Sequence, residues 1–130
     1  MSGKVLLDTN IIIALFKNDE NVISSLKKVS EVFVSNITIG ELFFGAEKSF
    51  RKEEKINKIE KFIQNIVVLP CNLSTSKVYG KVKNELKQKG NPIPENDILI
   101  SATAIQNKLQ LISRDKHFEK ITNLKTTTWQ

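Results

Sequence analysis

Four carboxylates stand where an ordinary surface acid has little reason to be. Asp8 lies between the apolar triplets Val5-Leu6-Leu7 and Ile11-Ile12-Ile13, and Glu41 lies inside the run Ile37 to Ala46 (ITIGELFFGA). Asp97 sits in the first turn of Asn96 to Gln106 (NDILISATAIQ), and Asp115 closes Ser113-Arg114-Asp115 after an apolar segment. Taken singly, Asp8, Asp97 and Asp115 can serve as helix caps or complement helix dipoles, and Glu41 can face solvent. Gathered in one cleft, they repel each other and lose hydration, which makes sense mainly if a cation binds among them. Oxygen donors without His or Cys favour Mg²⁺ or Mn²⁺ over zinc. A divalent ion so held activates water and neutralises the charge developing on a phosphodiester, which is metal-dependent nuclease chemistry.

Such a cluster needs elements that bring distant segments to one edge. Val5 to Leu7 reads as a strand buried on both faces, and the chain from Ile11 reads as a helix, so Asp8 falls on a strand-to-helix turn. Further strands are expected at Val32 to Val34, Val67 to Leu69 and Leu109 to Ile112, with a possible fifth at Thr126 to Trp129. Asn18-Asp19-Glu20 offers caps for a short helix through Leu26, and helices are expected over 37–46, 48–66, 74–89 and 96–106. Gly90 stops the helix over 74–89, and Pro92 and Pro94 keep the following loop irregular. Strands alternating with helices predict a three-layer α/β/α fold with a mainly parallel sheet of four to five strands. In such sheets ligands bind outside the carboxyl ends of the strands, where Asp8 and Asp115 fall.

At 130 residues the chain is expected to form one domain, 1–130. Lys and Arg number 20 against 14 Asp and Glu, a net charge of +6 that favours a polyanionic partner. A single cysteine, Cys71, excludes an intramolecular disulfide and a Cys-rich metal site. With no apolar run of membrane-spanning length and no signal peptide, a cytoplasmic protein without a membrane partner is expected.

The segments Leu6 to Leu15 (LLDTNIIIAL), Ile37 to Ser49 (ITIGELFFGAEKS), Pro94 to Ala104 (PENDILISATA) and Leu111 to Ile121 (LISRDKHFEKI) resemble, in order and spacing, PIN-domain ribonucleases. The likeness is specifically to VapC toxins of toxin-antitoxin modules. It implies that Asp8, Glu41, Asp97 and Asp115 match the family's acidic metal-binding quartet. Asp8 and Asp97 would ligate the ion directly, Glu41 would ligate it or activate water, and Asp115 would ligate it or orient a water. Asn10 and Ser113 match the family's polar neighbours and would hold those ligands by hydrogen bonds. The resemblance further implies an RNA substrate such as tRNA or ribosomal RNA, a homodimer, and a VapB-type antitoxin packed against the early helices. Leu15, Phe16, Phe43 and Phe50 are candidates for that contact.

Arg114 and Lys116 flank Asp115 and are expected to hold phosphates, with Lys48 and Lys52 widening the RNA footprint. His117, the only histidine, is expected on the surface of a short turn. Two other functions compete with the toxin: a PIN-type nuclease of RNA maturation or decay, and a non-catalytic receiver-like signalling domain with a metal-binding acidic pocket. Leu69-Pro70-Cys71 counts against the receiver, because no phosphoacceptor Asp closes the third strand.

Overall fold

The computed structural model describes residues 3–130. The chain runs β1 (Lys4–Leu7), α1 (Thr9–Phe16), α2 (Glu20–Leu26), β2 (Glu31–Ser35), α3 (Asn36–Glu47) and α4 (Lys52–Ile63). It continues through β3 (Val67–Leu69), α5 (Leu73–Gln88), α6 (Glu95–Gln106), β4 (Gln110–Ile112), a 3₁₀ turn (Lys116–Lys120) and β5 (Thr126–Thr127). All five strands pair in parallel in the order β3-β2-β1-β4-β5. Strand order therefore reverses between β1 and β4, and a crevice opens at the carboxyl ends of those two strands.

Side chains alternating along the strands divide the interior into two cores. Val5, Leu7, Val34 and Ile112 pack with residues of α1, α2, α3 and α4 on one face. Leu6 and Leu111 pack with α5, α6 and Phe118 on the other. The central strand thus has no wet face, with Leu6 and Leu7 fully buried, and each such side chain contributes about 1.5–3 kcal/mol of hydrophobic stabilisation.

α6 is buried over most of its circumference, since Ile98, Ile100, Ser101, Ala102, Thr103 and Ala104 are all inaccessible. Its small residues let sheet and helices approach closely. Its buried hydroxyls are satisfied within the helix, Ser101 Oγ donating to the Asp97 carbonyl at 2.7 Å and Thr103 Oγ1 to Leu99 at 2.9 Å. α5 ends before Gly90, whose φ of +69° suits a residue without a side chain.

The helix expected over 48–66 is shorter, because Ser49-Phe50-Arg51 forms a turn in which Ser49 Oγ accepts the Arg51 N–H at 3.0 Å. Phe50 projects from it with full exposure. Phe43 and Leu15 pack on the core, whereas Phe44 is 63% exposed. Among the described residues no helix is long and apolar enough to cross a membrane.

Candidate active site

Asp8 ends β1 and occupies the N-cap position of α1, with extended backbone angles and its N–H bonded to the Ile112 carbonyl at 2.9 Å. Its side chain turns toward β4, where Oδ2 accepts from Ser113 Oγ at 2.7 Å. Ser113 Oγ also accepts the Asp115 N–H at 3.0 Å, so one buried hydroxyl fixes both strand ends. Asn10 backs this contact, its Nδ2 reaching Ser113 Oγ and its Oδ1 accepting the Arg114 N–H, each at 3.4 Å. Asn10 therefore supports Ser113 and does not bond a carboxylate.

Glu41 is held from two sides. Thr9 Oγ1 donates to its Oε1 at 2.5 Å and Asn96 Nδ2 to its Oε2 at 3.4 Å. Those donors are the chain neighbours of Asp8 and Asp97, so Glu41 projects from α3 into the same crevice.

Asp97 and Asp115 meet across a histidine. His117 Nε2 lies 2.6 Å from Asp97 Oδ2, and Nδ1 lies 2.6 Å from Asp115 Oδ1. Asp115 Oδ1 also accepts the His117 backbone N–H at 3.2 Å, capping the 3₁₀ turn. The expectation that His117 is a surface residue is thereby corrected, since its side chain is 23% exposed and lies within the acidic cluster. Position was the available signal, as His117 follows by two residues an acid at the end of a central strand.

The electrostatics are dominated by lost hydration, with repulsion between carboxylates adding to it. Burial pushes the Asp8 carboxyl up from 3.8 to about 6, Ser113 opposing and Asp97 and Glu41 adding to the rise. Burial also raises Asp97, against the influence of His117. Ligand atoms of Asp97, Asp115 and His117 all lie within 4.8 Å of one another. Two carboxylate oxygens and an imidazole nitrogen gathered this closely form a donor set that fits a divalent cation.

The cations expected to meet RNA are placed differently from one another. The Arg114 guanidinium is committed to Asp19 Oδ2 at 3.0 Å and to the Trp129 carbonyl at 2.9 Å, so it ties α2 and the chain end to β4 instead of presenting to phosphate. Lys52 pairs with Glu47 at 2.8 Å, Lys48 lies 4.5 Å over the Phe44 ring, and Lys116 is exposed beside the site. A groove of about 410 Å³ leads away from Glu41 between α1, α3 and α4. Phe16, Leu42 and Ile59 contribute to its apolar lining, and Arg51, Lys55 and Lys58 to its basic lining.

A model of the PIN domain matches residues 5–124. The chain belongs to the PIN-domain family. It is 37% identical over 129 residues to Ribonuclease VapC2 of Haemophilus influenzae strain Rd, covering 97% of this chain and 98% of that one. Identity to the tRNA(fMet)-specific endonuclease VapC of Shigella flexneri is 30%, with the same coverage. The crystal structure of Rickettsia felis VapBC2 bound to a promoter DNA fragment superposes with a TM-score of 0.92 at 30% identity, over 98% of this chain and 99% of the other. Membership in the PIN family among the VapC ribonucleases makes the crevice between β1 and β4 the candidate active site. It also sets aside the receiver-like alternative.

Proposed function

We propose that this PIN domain is a Mg²⁺-dependent endoribonuclease toxin, acting in the cytoplasm on structured RNA such as tRNA or ribosomal RNA. The observation that carries this reading is the convergence of Asp8, Glu41, Asp97 and Asp115 on one crevice, in which burial, reinforced by the neighbouring carboxylates, raises the carboxyls of Asp8 and Asp97. When bound there, a divalent ion supplies water activation and neutralises charge developing at phosphorus. Asp8, fixed by Ser113, and Asp97, in the first turn of α6, hold the ion, and Asp115 completes the cluster from the end of β4.

Glu41, steadied by Thr9 and Asn96, orients the attacking water or accepts its proton. Hydrolysis leaves a 5′-phosphate and a 3′-hydroxyl. Lys116 and the groove's Arg51 and Lys55 steer the RNA backbone, while Lys48, Lys52 and Lys58 serve more weakly because each already has a partner. The toxin works as a homodimer and is silenced by a VapB-type antitoxin, whose apolar face fits the groove over Phe16, Leu42 and Ile59. Support for that partner comes from solved relatives that are VapBC assemblies.

Sequencing RNA ends after brief induction of the chain alone tests the proposal. New 5′-phosphate ends at a few sites, together with growth arrest, are expected from the native chain and not from Asp97→Asn. Ends without growth arrest favour a nuclease of RNA maturation, and no new ends refute the enzyme.

A further inference from the structure

His117 is positioned by the fold as well as by the carboxylates its side chain touches. Its backbone lies on the 3₁₀ turn capped by Asp115, and the next residue, Phe118, is 1% exposed and anchors the turn in the core beneath α5 and α6. The imidazole stacks obliquely on that Phe118 ring, with centroids 4.9 Å apart and planes at 40°. A ring anchored this way has little freedom, and it points between Asp97 and Asp115. The result is two carboxylate oxygens and an imidazole nitrogen, supplied by α6 and by the turn after β4, within 4.8 Å of one another.

We propose that His117 is a nitrogen ligand of the divalent-ion site, beside Asp97 and Asp115, and that it biases the site toward Mn²⁺ and other transition ions relative to Mg²⁺. This inference rests on the metal-dependent reading above. Imidazole nitrogen binds borderline transition ions far better than it binds Mg²⁺, whereas carboxylate oxygen serves both. Replacing one oxygen donor by this nitrogen therefore raises Mn²⁺ affinity relative to Mg²⁺. The rival role is a counter-charge that occupies the two carboxylates and must leave before an ion enters. That role makes the opposite prediction, because removing the ring would then strengthen ion binding.

The test uses the full untagged chain, stripped with chelator and titrated with MnCl₂ or MgCl₂ by calorimetry, with pulsed electron paramagnetic resonance of the Mn²⁺ form. Because the chain has one histidine, an imidazole nitrogen coupling to Mn²⁺ belongs to His117. We expect that coupling in the native protein, its change on ¹⁵N-histidine labelling, and its loss in His117→Gln. We also expect His117→Gln to weaken Mn²⁺ binding about 10-fold or more, with a smaller loss for Mg²⁺. Mn²⁺ uptake with no nitrogen coupling in the native protein overturns the assignment and leaves the carboxylate site standing, and this readout needs no variant to fold. Equal or tighter Mn²⁺ binding by His117→Gln overturns it in favour of the counter-charge. Failure of the native chain to take up Mn²⁺ overturns both this assignment and the metal-dependent reading.

Discussion

Asp8→Asn should make the metal-free protein more stable at neutral pH while destroying its site. Folding raises the Asp8 carboxyl from 3.8 to about 6, chiefly by burial, so the folded state binds that proton more tightly than the unfolded chain does. The stability this contributes is fully present below pH about 3.8 and is lost as pH rises through about 6. A rise of that size corresponds to about 3 kcal/mol. The asparagine does not titrate, and its amide oxygen can still accept from Ser113 Oγ.

In urea denaturation with chelator present, Asp8→Asn should therefore exceed the native protein by about 1–3 kcal/mol at pH 7.5 or above, with the gap closing toward pH 4. Saturating Mg²⁺ should reverse the ordering or remove it, since a ligand at 100 times its Kd adds about 2.7 kcal/mol to the protein that binds it. Parallel pH profiles for the two proteins, or equal stabilisation of both by Mg²⁺, would refute the argument that Asp8 is a desolvated ligand awaiting a cation.

Ser113→Ala removes the hydroxyl that donates to Asp8 and receives the Asp115 N–H, so the Asp8 carboxyl should move further up. Cleavage should fall about 10- to 100-fold, and the acid limb of its pH profile should shift to higher pH. Arg114→Ala should cost about 1–2 kcal/mol through the lost charged bond to the Trp129 carbonyl, while RNA affinity at fixed salt stays unchanged. Weakened RNA binding at unchanged stability would instead return Arg114 to the phosphates. Gly90→Ala, at φ +69° with open space around it, should cost about 1 kcal/mol in urea denaturation through backbone strain alone.

The strands and most helices were legible because their signals are local. Continuous apolar triplets marked β1, β2 and β3, and spaced apolar residues marked α4 and α5. Asp8 was conspicuous for the same reason, as a charge between two apolar runs. The N-terminal extent of α4 was overestimated because the charged residues from Lys48 onward continue its polar face in sequence, whereas the turn at Ser49-Phe50-Arg51 starts the helix only at Lys52. Phe43 and Phe44 could not be told apart along a helix whose apolar residues nearly encircle it, and Phe44 proved to be the outward one.

Side-chain direction in loops was the least legible. Arg114 and His117 both follow β4, but one reaches Asp19 and Trp129 while the other turns to an acid on α6. Their partners lie many residues away and are adjacent only once β1 and β4 pair, which no local period encodes. The buried hydroxyl of Ser113 could be matched to a family position, but its double contact with Asp8 and Asp115 is a property of the folded crevice.

The most direct test of the central claim is cleavage of purified tRNA by the purified chain, with Mg²⁺ or with chelator, comparing native protein with Asp97→Asn. Defined fragments are predicted from the native protein with Mg²⁺ alone, and none from Asp97→Asn, which should remain folded by circular dichroism. Equal cleavage by a folded Asp97→Asn, or undiminished cleavage in chelator, would contradict an active site built on carboxylates that share a divalent ion.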